Sequence, residues 1–269
     1  ITMKFDLHCH TKEGSLDSKM PVYKYVLEYK KLGYDGIMIA DHNKYRGCKE
    51  WDRIHSLPGL RDFTIIRGLE YDTKDAGHVL VIMPDGMYLP LLNVRGMRCR
   101  KLIEVVHACG GILGLAHPYG SKGSSAMWFR RMDEEFIKDM DFIEVFNTCE
   151  LKESNRQAQR LAEEYDLPGF AGTDSHNDKY IGMAATEIDA EIKSNNDFIR
   201  AVKEGKVTSA GGVERLQPMK GKAKEHWSGV LLYKAFNRGL GKATVVWRNA
   251  SHYRLTHTSS MAHLFEKEQ

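Results

Sequence analysis

At 269 residues, 42% hydrophobic and 28% charged, the chain is long enough for one large α/β barrel or two small domains, and its composition excludes long disorder and fibrous classes. A formal net charge of +3 gives no support to a strongly basic nucleic-acid binder, and no apolar run approaches the roughly 18 residues that a membrane-spanning helix needs. The charge is uneven: residues 213–269 carry ten Lys and Arg against four Asp and Glu, leaving 29 against 32 in the first 212.

Seven short runs, at 3–7, 36–40, 63–66, 78–82, 111–116, 141–146 and 168–172, are rich in β-formers and too short for most helices, so they read as strands. Helical spacing lies between them. Val22, Val26, Tyr29 and Leu32 form one stripe within 21–32, and Leu102, Val105, Val106 and Cys109 another within 101–109. Gly33 and Gly110 follow as stops, and 153–165 and 196–204 read as two more helices. Residues 72–77 look like a hairpin connection, an exception to an alternation that otherwise argues for a parallel sheet, open or closed. From Val213 the pattern changes to a short helix at 230–236 and a strand at 244–247, a small appended region. The chain opens without the basic-then-apolar pattern of a secretory signal, and Met3 reads as the natural start. Five cysteines without a C-x-x-C pair make a reducing cytoplasm the expected setting.

The chemistry sits at the strand ends. The first run ends in His8-Cys9-His10, the second in Asp41-His42, the third in Gly68-Leu69-Glu70, the fifth in His117-Pro118, the sixth in Asn147 and the seventh in Asp174-Ser175-His176. Functional groups of a (β/α) barrel project from these C-terminal ends. His8 and His10 lie two apart on an extended segment, so they face one way and can share a cation; Asp174 and His176 repeat the spacing. Closing the sheet makes first and last strands neighbours, and the hairpin returns His78 to the side of Glu70. Imidazole and carboxylate ligands suit Zn²⁺, Mn²⁺ or Fe²⁺ without a thiolate. More ligands are present than one ion needs, so Glu70 or Asp174 can bridge two or three. Singly, each group has a plainer reading: a chance His-x-His, a turn at Asp41-His42, a buried histidine before Pro118, a helix cap at Asp174. Their joint occurrence at successive strand ends carries the metal reading.

The ordered series Asp6-Leu7-His8-Cys9-His10-Thr11, Asp41-His42, Gly68-Leu69-Glu70, Gly77-His78, Ala116-His117-Pro118 and Gly172-Thr173-Asp174-Ser175-His176 resembles the PHP (polymerase and histidinol phosphatase) family of metal-dependent phosphoesterases. The resemblance implies a distorted seven-stranded (β/α)7 TIM-like barrel over 3–212, with a basic C-terminal extension over 213–269 packed on it. It implies a di- or trinuclear site with two or three divalent ions (Mn, Fe or Zn), held by His8, His10, His42, Glu70, His78, His117, Asp174 and His176. Many relatives carry Ser-Asp-Gly shortly after the second histidine. Here 11–18 reads Thr-Lys-Glu-Gly-Ser-Leu-Asp-Ser, so Asp17 is the candidate ninth ligand and Glu13 its rival, with Asp17 alternatively capping the helix that Pro21 opens.

The expected reaction is hydrolysis of a phosphate ester by a metal-activated water, with His42, Glu70 and His176 as the catalytic set and His42 or His176 assisting the leaving oxygen. Lys12, Arg98 and Arg130 are expected to hold the phosphate, from a group of loop cations that includes Arg95, Arg100, Lys122 and Arg131. Residues 119–131, with Trp128 and Phe129, suit a mobile cover able to stack a base. The expected substrate is a nucleotide, a short oligonucleotide or a small phosphomonoester, with no membrane and no obligate protein partner. Three rivals stand beside this reading. A metal-dependent amidohydrolase commonly needs a carboxylated lysine, which no strand end supplies. A non-catalytic metal-binding module predicts lost ligands. A nuclease on long polymers is permitted by the basic tail.

Overall fold

The computed structural model describes residues 1–129, 135–215 and 227–243. Among the described residues nine strands form one sheet: β1 (Met3–Cys9), β2 (Gly36–Ile39), β3 (Thr64–Asp72), β4 (His78–Ile82), β5 (Ile112–Leu115), β6 (Phe142–Asn147), β7 (Gly169–Gly172), β8 (Ala184–Ile188) and β9 (Val207–Gly212), in the order β7-β6-β5-β4-β3-β2-β1-β8-β9. The helices are α1 (Val22–Lys31), α2 (Arg46–Ile54), α3 (Cys99–Ala108), α4 (Glu135–Lys138), α5 (Lys152–Tyr165), α6 (Asn195–Lys203) and α7 (Trp227–Ala243).

The sheet curls into a nearly closed barrel. At the C-terminal ends β1 meets β7 directly: His10 N–H donates to Ser175 O at 3.0 Å and Asp174 N–H to His8 O at 2.8 Å. At the base, β8 pairs antiparallel with β1, Met3 opposite Ile188 and Phe5 opposite Thr186. The TIM-like barrel expected from sequence is therefore present, with nine strands rather than seven. β9 (VTSAGG) is small and polar, with little of the alternation that betrays a strand. β4 runs antiparallel to both β3 and β5, so the (β/α) alternation breaks at the hairpin that residues 72–77 predicted. α2 (RGCKEWDRI) went unread because Gly47, Cys48 and Trp51 are its buried residues and charge dominates the rest. The helix expected at 230–236 extends over α7, whereas the strand expected at 244–247 lies outside the described residues.

Strand alternation sorts the core. Met38, Ala40, Ile66, Leu80 and Ile82 point into the barrel, and Ile37, Ile39, Ile65, Val79 and Val81 pack outward with the residues of α1, α2 and α3. The interior floor is aromatic: the Phe142 and Phe170 rings stack at 3.9 Å, and Phe198 of α6 meets Phe170 edge-on at 5.6 Å. Above this floor the inward positions turn polar. Glu70 and Asp72 continue the column of Ile66, and His78 that of Leu80. On β1, Phe5 and Leu7 face inward, and a register shift between Asp6 and Cys9 re-aims the strand so that His8 and His10 reach the mouth. Residue 172 must be glycine here, since a Cβ would stand 2.2 Å from the His8 Cβ. All five cysteines are buried free thiols. No helix among the described residues is long and apolar enough to cross a membrane.

Candidate metal centre

Eight of the nine side chains expected as ligands converge on a single carboxylate or its neighbours. Glu70, 1% exposed, presents Oε1 to His78 Nδ1 at 2.7 Å, His117 Nε2 at 2.9 Å and His8 Nε2 at 3.7 Å. Its Oε2 faces His42 Nδ1 at 3.0 Å and His10 Nε2 at 3.4 Å. Asp174 Oδ1 closes the far side, 3.2 Å from His10 Nε2, 3.7 Å from His8 Nε2 and 3.6 Å from His176 Nδ1. Three overlapping groups of donor atoms result: His8, His10 and Asp174; His42, Glu70 and His78; and His10, His42 and His176.

The ninth candidate, Asp17, lies at the open edge of the third group, 3.3 Å from His176 Nε2 and 3.7 Å from His42 Nε2. The roles weighed for Asp17 and Glu13 separate in space. Glu13 Oε2 accepts from Val22 N–H at 3.3 Å, so the carboxylate serving the first turn of α1 is Glu13.

The network around the histidines assigns their tautomers. His8 Nδ1 donates to Glu144 Oε1 at 2.8 Å. Ser15 donates its hydroxyl proton to Asp41 Oδ1 at 3.0 Å, so it accepts from His10 Nδ1 at 3.2 Å. His176 Nδ1 donates to the Asp174 carbonyl at 2.9 Å. With Nδ1 engaged in this way, Nε2 is the ligating atom left on each ring, and the His8 and His10 Nε2 atoms lie 3.1 Å apart, with a proton between them in the metal-free protein. His42 Nδ1 is buried without a hydrogen-bond partner, despite its 3.0 Å approach to Glu70. Imidazole nitrogens and buried carboxylate oxygens that converge in this way form a donor set that fits divalent metal.

Electrostatics agree. Burial raises the cost of ionising Glu70 and Asp174, yet the facing histidines outweigh it and hold both well below the usual carboxylate range. Burial, with His176 and His42 beside it, pushes His10 down to about 3, so it stays neutral. Burial opposes charge on His176 too, but Asp17 and Asp174 prevail and push it up to about 9.

Two carboxylates that sequence reasoning missed complete the site. Glu144 on β6 is 1% exposed and accepts from His8 Nδ1, from His117 N–H at 2.7 Å and from Asn147 Nδ2 at 3.2 Å. Asp72 accepts from Asn43 Nδ2 at 2.8 Å and sits 2.8 Å from His78 Nε2 and 2.6 Å from Arg95. Their inward parity with Phe142 and Glu70 was the available signal. Because Glu144 fixes two ligand-bearing segments, Glu144→Gln is expected to weaken metal affinity about 10–100-fold, read by competition titration with a chelator.

A cavity of about 710 Å³ opens beside the cluster, bounded by residues 14–17, His42, Asn43, Lys44, Asn93, Arg95 and Ser124. The cations on its wall are Lys44 and Arg95. Lys12 and Arg98 are exposed and do not line it, and Arg130 and Arg131 lie outside the described residues. Arg98 stands at the N-cap of α3. Of the segment 119–131 expected as a cover, the described residues 119–129 line the cavity at Ser121, Gly123 and Ser124 and are tied at two points: Ser125 is fully buried with Oγ 3.1 Å from His117 Nδ1, and Trp128 Nε1 donates to Gly120 O at 3.0 Å.

The chain is 29% identical to an uncharacterized protein of Methanocaldococcus jannaschii over 154 residues, 54% of this chain and 82% of that one. It is 35% identical to a 5′-3′ exoribonuclease of Haemophilus influenzae over 77 residues, 28% of this chain and 27% of the enzyme. Among solved structures, the endonuclease Q of Pyrococcus furiosus superposes with a TM-score of 0.62 at 17% identity, over 80% of this chain and 60% of that one. PsfC of Pseudomonas syringae gives 0.61 at 17%, over 89% and 99%. A two-domain protein of Bacteroides vulgatus containing a predicted PHP-like metal-dependent phosphoesterase gives 0.59 at 18%, over 77% and 64%. The PHP-associated model matches residues 152–207, which hold Asp174 and His176. With the PHP domain model matching residues 6–165, more than half of the length and the strands that carry His8 through His117, the chain belongs to the PHP domain family.

Proposed function

We propose that this chain is a metal-dependent phosphoesterase, in which His8, His10, Asp17, His42, Glu70, His78, His117, Asp174 and His176 hold two or three Mn, Fe or Zn ions against a nucleotide, a short oligonucleotide or a small phosphomonoester. The carrying observation is Glu70, whose two oxygens are met by five imidazole nitrogens in a buried site. Bound divalent cations supply Lewis acidity toward a phosphate ester and a water of lowered pKa. The protein's own groups do the rest. Glu70 and Asp174 remain anionic and neutralise the bound charge. His42, 28% exposed and lining the cavity, holds a proton for the leaving oxygen, with His176 behind it. Lys44 and Arg95, which line the same cavity, hold ester oxygens.

Family membership supports the phosphoesterase reading, as do the names of the endonuclease and the exoribonuclease above, both of which denote cleavage of phosphate esters. The amidohydrolase alternative lacks its lysine: Lys234 on α7 is the only buried lysine among the described residues. The test is hydrolysis of p-nitrophenyl phosphate and a 5′-phosphorylated RNA after chelation and after Mn²⁺ is restored. Turnover is expected only with the metal. Metal-independent turnover, or cleavage of an amide and no phosphate ester, would contradict the reading.

A further inference from the structure

We infer that α7 is a fixed side wall of the substrate cleft, so that the cleft takes a phosphate ester ending within it, a free nucleotide or a strand terminus, and refuses a linkage inside a continuous strand. The inference rests on the phosphoesterase reading and adds which esters reach the centre.

Lys234 and Phe236 are two residues apart on a helix, about 200° around its axis, so they point to different sides. Lys234 is 8% exposed; its Nζ donates to Trp128 O at 2.9 Å and lies 4.0 Å from the centre of the Phe129 ring. Val230, one turn earlier on the same face, is also buried. A lysine is seldom buried unless its ammonium is satisfied, and a carbonyl with an aromatic face satisfies it here. On the other side the Arg95 guanidinium stands 5.2 Å from the Phe236 ring centre. The helix is thus wedged between two segments, 93–95 and 118–129, that both contribute to the cleft.

Neither segment is free to swing aside. Arg95 is ion-paired with Asp72, which sits against His78. The other segment is pinned at Ser124, whose carbonyl accepts from His78 N–H at 2.6 Å, and at Ser125 against His117. Moving α7 or either rim therefore disturbs histidines that face Glu70. The cavity of about 710 Å³ is of the size that takes a small ligand.

The test uses the full chain loaded with Mn²⁺ and three probes: p-nitrophenyl phosphate, a short 5′-phosphorylated linear RNA, and a covalently closed circle of the same sequence. The circle is expected to be cleaved at least about a hundredfold more slowly than the linear strand. Turnover of p-nitrophenyl phosphate with neither RNA also supports a closed cleft. Equal rates on circle and linear strand overturn the wall and leave the phosphoesterase reading standing, whereas no turnover of any probe overturns both. In a Lys234→Met/Phe236→Ala double variant with normal metal content, the circle-to-linear ratio is expected to rise about tenfold; an unchanged ratio overturns the wall.

Discussion

Replacing Glu70 with alanine is expected to remove at least one bound ion per chain and to lower phosphate-ester turnover by about a thousandfold. The reasoning is local. Five imidazole nitrogens stand within 3.7 Å of its two oxygens, and of the other carboxylates only Asp174 also approaches His8 and His10. Without Glu70 the site would lose the buried anion that faces most of its imidazoles, and any cations held there would be less well neutralised. The metal-free protein suffers as well, because removing one partner of a buried ion pair costs about 3–5 kcal/mol. Glu70→Gln separates the two effects: it keeps the shape and removes the charge, so it should lose metal as the alanine variant does with a smaller packing defect. Metal analysis beside turnover reads both. Full stoichiometry, with turnover within about tenfold of the parent, would show that Glu70 is not the bridging group.

The hairpin at 72–77 and the strand ends were legible because period-two alternation places side chains without reference to the rest of the fold; Asp72 indeed pairs with His78 across the turn. Glu144 and Asp72 were not, because a carboxylate inside a strand looks like any solvent-facing position until the barrel closes over it. The register shift in β1 was equally hidden, since nothing in Asp6-Leu7-His8-Cys9 marks the change of face. Exposed cations were the least readable. Lys12 and Lys44 each follow a strand end, yet Lys44 lines the cavity and Lys12 does not. What distinguishes them is how each loop turns, which local sequence does not determine. The seven-strand count failed for a topological reason: β8 and β9 extend the sheet antiparallel beyond β1, outside the alternation that revealed the others.

Chelation is expected to abolish turnover and also to reverse the way stability depends on pH. In the metal-free protein His176 is pushed up to about 9, above the ~6.5 of an unfolded imidazole. A raised folded-state value means that the proton stabilises the fold: the contribution is complete below about pH 6.5 and is lost as pH rises through about 9. Its ceiling is roughly 3 kcal/mol, reduced by the 25% exposure of the side chain. Burial opposes charge on His8, yet Glu144, Asp174 and Glu70 prevail and raise it well above the usual imidazole value, so it acts in the same direction as His176. His10, pushed down to about 3, is neutral throughout, and Asp41, pushed up to about 6 by burial, is largely ionised before the window opens. A divalent ion competes with the His176 proton for Nε2, so metal affinity rises with pH over the same interval. With Mn²⁺ at a hundred times its dissociation constant, one site adds about 2.7 kcal/mol. Thermal melts should therefore show the chelated protein losing stability from about pH 7 to 9 while the increment from Mn²⁺ grows. An increment that is flat or shrinks as pH rises would mean that neither His8 nor His176 gives up its proton when metal binds.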